Sequence, residues 1–246
     1  MISVLIPHYN DERIYNCISQ INSLSFRDKI KIIVQDSNSS EEYQKKIKNL
    51  LNENDIFQSK KDEGIFDGLN SLLKLVDTPF FTWIGCDDYI NEDYNYNSII
   101  EKFNNGADIV QSNVIYFDKK IDNVTRSIKA YNNNYVLYSL GLPFYHFGST
   151  IRTSLISNNS LRFDITKKTA ADFEFFRVLL KKSRKSSVKA NDSTIYLGDG
   201  GNSSADFKAR FRGYKDIFKS FKNIRIFLLP LFLLVRVFFK LKSVSK

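Results

Sequence analysis

Short apolar runs alternate with amphipathic stretches through the first 120 residues of this 246-residue chain, and the alternation restricts its fold class more than any other feature. Each run has the length and composition of a buried strand, and each stretch spaces its apolar residues as one helix face does. This order predicts an α/β protein with a mostly parallel central sheet flanked by helices. The strand-like runs are 2–7, 29–34, 80–85 and 108–117, and helix-like stretches follow Asp11 and Gly64.

The second half of the chain is less regular. We assign no elements to 118–165, and we predict a helix over 169–180 and a short strand over 194–197. The glycine-rich segment that follows that strand is either a loop that contacts phosphate or a plain turn, because no helix-opening glycine fingerprint surrounds it.

Carboxylates follow two of the predicted strands at their carboxyl ends. Asp36 follows the second run, and the adjacent Asp87 and Asp88 follow the third. In open α/β sheets the ligand crevice lies outside these strand ends, so the three side chains are expected to converge. Adjacent carboxylates repel each other unless a cation lies between them, which favours a divalent metal site. The alternative is an ordinary capped surface turn.

Four segments of the chain resemble, in order and spacing, the motifs of glycosyltransferase family 2. They are SVLIPHYN at 3–10, VQDSNS at 34–39, EGIFDGLN at 63–70 and WIGCDD at 83–88. The similarity continues more weakly through HFGSTIR at 146–152 and AADFEF at 170–175, so it covers about residues 1–200. The resemblance implies the GT-A fold, a Rossmann-like fold that binds nucleotide-diphosphate sugars.

The resemblance also implies how the donor nucleotide is bound. Pro7 and Tyr9 are similar to the residues that form the floor under the base, and Asp36 to a carboxylate that accepts a hydrogen bond from uracil. Asp87 resembles the residue that contacts ribose or the metal-bound phosphate. Asp88 resembles the direct ligand of Mn²⁺ or Mg²⁺.

Other motif positions border the donor or take part in the transfer itself. Asp67 and Asn70 are similar to polar residues of the helix beside the donor site, and Asp172 to the general base. Glu174 lies two residues further along the same predicted helix, so the two carboxylates point about 200° apart and only one can face the site. His146 matches a family position near the acceptor pocket.

The resemblance implies an inverting enzyme that moves a single hexose or N-acetylhexosamine from a UDP-sugar to an acceptor hydroxyl. The departing diphosphate needs its charge neutralised and the acceptor needs a base. Processive synthases of the family carry a Gln-x-x-Arg-Trp motif, which is absent because the only tryptophan is Trp83. The chain also departs from many members in having Ser37 where they carry glycine.

The net positive charge of the chain, +9, comes from its last residues. We divide it into a catalytic domain, 1–204, and a helical tail, 205–246, which holds 11 of the 36 Lys and Arg residues and only two acidic ones. The apolar run 226–239 is too short to cross a bilayer comfortably, so a basic stripe beside it favours a helix on an anionic membrane surface. Burial against the domain or homodimerisation is the alternative, and nucleic-acid binding is disfavoured.

These observations predict a peripheral enzyme on the cytoplasmic face of the cell membrane that builds a surface glycan such as lipopolysaccharide or capsule, with a glycan or glycolipid acceptor. Two cysteines cannot form a disulfide framework, and the first residues form a strand-like run, not a leader. A nucleotidyltransferase is one alternative, although the loop after the first strand lacks the glycine-rich basic sequence of that class. A catalytically silent membrane scaffold is the other.

Overall fold

The strands that the structure describes form one mixed sheet of eight strands. A computed structural model of the protein describes residues 1–118, 123–142, 144–167, 171–185, 187–198 and positions 232, 234, 235 and 238. The strands are β1 (Ile2–His8), β2 (Ile30–Asp36), β3 (Ile56–Ser59), β4 (Phe80–Trp83), β5 (Ile109–Phe117), β6 (Val124–Ile128), β7 (Ser149–Arg152) and β8 (Val188–Gly198). The α-helices are α1 (Arg13–Asn22), α2 (Glu41–Leu50), α3 (Ile65–Leu75), α4 (Tyr96–Asn104), α5 (Tyr135–Ser139), α6 (Thr153–Ser157) and α7 (Ala171–Lys182).

Strand β1 is the centre of the parallel half of the sheet. It pairs in parallel with β2 on one side and with β4 on the other, and β3 extends this half beyond β2. Six of the seven residues of β1 are buried, as expected for a strand that is covered on both faces. Its register places His8 opposite Asp36, so the carboxyl ends of both strands lie together.

The other half of the sheet contains antiparallel pairs. Strand β7 lies antiparallel between β4 and β5, and β6 pairs antiparallel with the end of β5. Strand β8 pairs in parallel along β5, and its last residue, Gly198, lies opposite Phe117 at the end of β5. The predicted α/β architecture is confirmed, but the sheet is mixed because the segment without predicted elements contributes two strands, β6 and β7.

Two apolar layers cover the sheet, one on each face. On one face α1, α2 and α4 pack through residues such as Ile14, Ile47 and Phe103. On the other face α3 and α7 pack against Trp83, with Leu72 and Phe176 among the buried residues. The helices thus cover both faces of the sheet. The carboxyl-terminal ends of the strands stay uncovered, and the site lies there.

Strong periodicity predicted the elements around the site well. The helix after Gly64 is α3, and the helix predicted over 169–180 corresponds to α7, described from Ala171 onward. Strand β3 was not predicted because it has four residues, all of them only partly buried. Strand β8 is much longer than predicted because polar residues such as Asp192 interrupt its apolar pattern.

The predicted tail, 205–246, lies outside the described residues except at four positions. Phe232 is 1% exposed, and its ring packs edge-on against Phe173 at 5.9 Å between centroids. Its carbonyl oxygen lies against Gly141, where a Cβ atom would approach it to 2.5 Å. By contrast, Leu234 is 67% exposed. In the described part of the chain, no helix is both long enough and apolar enough to span a membrane.

Candidate functional site

The His8–Asp36 pair closes the carboxyl ends of β1 and β2. Asp36 is fully buried, and its Oδ1 lies 2.8 Å from Nδ1 of His8. Its Oδ2 accepts hydrogen bonds from the Ser39 amide at 3.0 Å and the Ser59 hydroxyl at 2.6 Å. The Asp11 amide donates to Nε2 of His8 at 3.1 Å, so the Nδ1 proton is the one shared with Asp36.

These hydrogen bonds determine the charge state of Asp36. Burial acts to raise its pKa, but the hydrogen bonds from Ser39, Ser59 and His8 outweigh burial and lower the pKa. Asp36 is therefore a carboxylate whose two oxygens already hold the loop after β2. The contact with uracil that the sequence predicts for it stays a prediction.

A cavity of about 600 Å³ opens beside this pair. Pro7 and Tyr9, both predicted to contact the nucleotide base, line it together with Ser37 and Asn38 from the loop after β2. Lys61 contributes a cation to the lining. A cavity of this size and mixed lining is suited to a nucleotide-sized ligand.

Asp67 and Asn70 lie next to a second cavity of about 950 Å³, between α3 and 156–166. Asp67 accepts a hydrogen bond from the Glu63 amide at 3.1 Å. Asn70 bonds twice to the backbone of Phe163, through its Nδ2 at 3.0 Å and its Oδ1 at 2.8 Å. Asn70 thus ties α3 to a segment 93 residues further along. The residues of α3 that line the first cavity are Ile65 and Gly68.

Asp88 is buried in the turn five residues beyond the end of β4, and both its oxygens accept backbone hydrogen bonds. Oδ2 accepts from the Gly85 amide at 2.6 Å, and Oδ1 from the Gly198 amide at 3.0 Å. Burial, reinforced by the charge of Asp87, raises the pKa of Asp88 to about 7. The end of β8 is therefore joined to the segment after β4 by a buried carboxyl group, and the charge of Arg13 offsets its raised pKa only in part.

Asp87 is the more accessible member of the pair. Its side chain is 21% exposed, and its Oδ2 accepts a hydrogen bond from Arg13 at 2.8 Å. A Cβ atom on Gly85 would lie 3.0 Å from Oδ1 of Asp87 and 3.1 Å from Oδ2 of Asp88, so the two carboxylates converge over this glycine. Gly198 is packed as closely, since its Cβ atom would lie 2.8 Å from Oδ2 of Asp87.

This pair fits a divalent cation in its chemistry. Two converging carboxylate oxygens, one on a side chain whose pKa is raised by burial and by the charge of its neighbour, are a donor set that Mg²⁺ and Mn²⁺ accept. Among the described residues, no group of three or more His, Cys, Asp and Glu side chains could hold a metal. An ion at Asp87 and Asp88 would thus take its other oxygens from a ligand or water, and the direct coordination predicted for Asp88 stays a prediction.

The two candidate bases lie at the start of α7 and differ in their partners. Glu174 forms ion pairs with Arg177 at 2.6 Å and Lys167 at 3.5 Å. Asp172 makes no ion pair with the described cations, and its Oδ1 accepts from the Phe173 amide at 2.7 Å. The geometry therefore leaves Asp172 the freer carboxylate.

The structure brings His146 close to Asp172. The imidazole stacks on Phe176 of α7 at 5.5 Å between ring centroids. Burial lowers the pKa of His146, and the charge of Asp172 partly offsets this shift. Two residues predicted for the acceptor side thus share one environment although 26 positions separate them in sequence.

Sequence reasoning missed Arg13, Gly198 and the partnership of His8 with Asp36. The Asp-Glu-Arg sequence at the start of α1 offered a signal for Arg13, whose guanidinium bonds to Asp11 two residues earlier. Gly198 was seen only as the start of a possible phosphate loop or turn. Its contact with Asp88 joins residues 110 positions apart, which no local pattern reveals.

Comparison with known proteins identifies the family. The model of glycosyl transferase family 2 matches residues 3–180. The chain belongs to this family. Family membership makes the protein a sugar-transferring enzyme, and the match covers the motifs from β1 through α7. No curated protein matches the sequence.

Solved structures of glycosyltransferases share the GT-A fold of the chain. TarS 1-349 of S. aureus in complex with UDP-GlcNAc has 16% identity and a TM-score of 0.63, over 99% of this chain and 81% of that one. The mannosyltransferase PcManGT from Pyrobaculum calidifontis, in complex with GDP-Man and Mn²⁺, has 14% identity and a TM-score of 0.64, over 95% of this chain and 68% of that one. At such identities the similarity shows the fold.

The raised pKa of Asp88 predicts that the metal-free protein becomes less stable as pH rises. The folded carboxyl has a pKa of about 7 against 3.8 for an ordinary aspartate, so the folded state keeps a proton that the unfolded chain has lost. The contribution of Asp88 to the free energy of unfolding is therefore most favourable below pH about 4, and it becomes less favourable as the pH rises to about 7. We expect the stability of Asp88→Asn to lose this pH dependence, because an amide does not ionise. Its gain over the native chain at neutral pH should stay below about 4 kcal/mol, because Nδ2 cannot accept one of the two backbone hydrogen bonds.

Urea unfolding at about pH 5 and pH 7.5, in the presence of a chelator, measures this difference. Asp77→Asn serves as a control because the Asp77 side chain is 61% exposed. A stability curve of Asp88→Asn that falls with pH as steeply as that of the native chain would contradict the assignment.

Proposed function

We propose that the protein transfers a single hexose or N-acetylhexosamine from a UDP-sugar to a hydroxyl of a glycan or glycolipid, with inversion and with Mn²⁺ or Mg²⁺. The observation that carries this proposal is the contact between Pro7 of the cavity wall and the residue next to the acidic pair. The Cys86 thiol donates to the Pro7 carbonyl at 3.3 Å, so the cavity wall adjoins the residue before Asp87. A nucleoside in the cavity would direct its diphosphate toward the carboxylates.

The choice of UDP over GDP rests on the family resemblance of Asp36. TarS is described in complex with UDP and with UDP-GlcNAc, whereas PcManGT is described with GDP-Man, so both nucleotides occur on this fold. The position of Asp36 at the end of β2 resembles that of the uracil-binding carboxylate of the family. We therefore infer a uridine nucleotide as the donor.

The residues of the site suit a single displacement at the sugar. At Asp87 and Asp88, a bound divalent cation would supply charge neutralisation for the departing diphosphate. Asp172 would accept the proton of the acceptor hydroxyl as that oxygen attacks the face of the sugar opposite the diphosphate. One displacement inverts the anomeric centre, and His146 beside Asp172 would help to orient the acceptor.

Titration of nucleotides into the full chain tests this function. We expect UDP to bind in the presence of Mn²⁺ and to bind more weakly after EDTA is added, and GDP and dTDP to bind more weakly than UDP. Isothermal titration calorimetry measures each affinity. If none of the three nucleotides binds, the chain is better described as a catalytically silent protein of the same fold.

Replacement of the proposed base should separate binding from transfer. We expect Asp172→Asn to keep its affinity for UDP and to lower turnover by about 10²- to 10⁴-fold, because proton transfer contributes this much to catalysis. Release of UDP from the donor, with water or a glycan as acceptor, measures turnover. Glu174→Gln is the matched control, and loss of turnover in that variant alone would assign the base to Glu174.

We also propose that the protein binds to the cytoplasmic surface of the membrane through its C-terminal part. Phe232 packs on the catalytic domain while Leu234, two residues further, points outward. Val136 and Leu137 of α5 are exposed on the domain near this attachment point, and the sequence from 205 onward is strongly basic. Exposed apolar side chains beside basic ones suit an anionic lipid surface, which would also hold a lipid-linked acceptor.

Vesicle flotation tests the membrane proposal. We expect the full chain to float with vesicles that contain an anionic phospholipid and to stay behind with neutral vesicles. Leu234→Glu should lower the bound fraction several-fold because it places a charge in the acyl region, whereas Val124→Glu on β6 should not. Unchanged flotation of Leu234→Glu would contradict this surface, and a dimer in sedimentation would indicate that two copies cover it instead.

A further inference from the structure

Arg13, the first residue of α1, is held by two carboxylates at the edge of the site. Its Nε and one terminal nitrogen donate to the two oxygens of Asp11, at 2.9 and 2.6 Å. Its other terminal nitrogen donates to Oδ2 of Asp87 at 2.8 Å. Two nitrogens of the guanidinium are therefore held by Asp11, and the third nitrogen bonds to Asp87 of the acidic pair.

This side chain is accessible although it is so well bonded. Arg13 is 59% exposed, and its hydrogen bonds with Asp11 raise its pKa further, so it carries a permanent charge at a surface open to ligands. Among the described residues, it is the cation that ion-pairs with Asp87. It thus neutralises the carboxylate whose other oxygen, Oδ1, converges with Asp88 and would be offered to a divalent cation at the pair.

We propose that Arg13 is a diphosphate-binding residue that exchanges partners when the donor binds. This inference depends on the proposed function, since it needs a nucleoside diphosphate at the site. The arm of the guanidinium that now bonds to Asp87 moves to a phosphate oxygen when the metal ion takes over the carboxylate, and Asp11 keeps the rest of the fork in place. A guanidinium suits both partners because its paired N–H donors match carboxylate and phosphate oxygens alike.

Competition between Arg13 and the metal ion for Asp87 gives the proposal a distinctive signature. Loss of the guanidinium should free Asp87 for the metal and so strengthen binding of Mn²⁺ alone. It should also remove a contact with the diphosphate and so weaken binding of UDP. A merely structural role would move both affinities in the same direction or leave both unchanged.

Calorimetry on the full chain tests the exchange with three probes: Mn²⁺ alone, UDP with Mn²⁺, and uridine with Mn²⁺. For Arg13→Gln we expect Mn²⁺ to bind a few-fold more tightly, UDP about tenfold more weakly, and uridine with unchanged affinity because it has no phosphate. Arg13→Lys should behave similarly, because a lysine ammonium cannot bind both oxygens of Asp11 and a phosphate at the same time. Lys46→Gln is the control, because it removes an equally charged side chain that pairs with Glu42 on α2, away from the site.

The outcomes separate this inference from the proposed function. If the native chain binds UDP and Arg13→Gln binds it equally well, the inference is wrong and the function stands. If UDP and uridine weaken equally in Arg13→Gln, the residue supports the local fold and the inference is also wrong. If the native chain binds no nucleotide, the proposed function fails and takes the inference with it.

Discussion

The parallel pairing of β1 with β2 and β4 is the constraint on which the rest of the structure depends. Burial on both faces favours apolar residues along β1. Its two polar residues are Ser3 near its start, whose hydroxyl pairs with that of Thr78, and His8 where the strand ends. The same register places the ends of the neighbouring strands at the same edge. Charged side chains are thus concentrated where these strands end, because burying an unpaired charge in the core costs free energy. The cavity beside Pro7 and the acidic pair after β4 are two consequences of this exclusion.

The acidic rim is arranged so that its charges are only partly balanced. Asp36 is satisfied by donors from its own loop, whereas Asp88 has two backbone amides and no cation of its own. Asp87 is compensated by Arg13, which Asp11 also holds. Uncompensated buried carboxylates of this kind lower the stability of the free protein, and a ligand that neutralises them would restore it. The electrostatics of the free protein therefore favour binding of positive charge at this rim.

Local patterns in the sequence predicted much of this arrangement, and contacts between distant segments account for what they missed. The helices around Ile18 and Leu72 follow from periodicity, and the strand-end positions of Asp36 and Asp87 follow from the α/β pattern. Family resemblance added roles that periodicity alone does not contain. The antiparallel insertion of β7 and the tie between Asn70 and Phe163 depend on packing across the sheet, for which single-sequence patterns carry no signal.

The hydrogen bond between Gly198 and Asp88 has a consequence for synthesis on the ribosome. The carboxyl group lies in the first half of the chain, and its amide partner is added 110 residues later. Strands β1 to β4 can pair while translation continues, but the acidic rim keeps an unsatisfied buried oxygen until β8 emerges and docks on β5. A nascent chain therefore completes its site only after β8 has emerged. Premature termination before that strand yields a protein with the motifs in place and the rim unfinished.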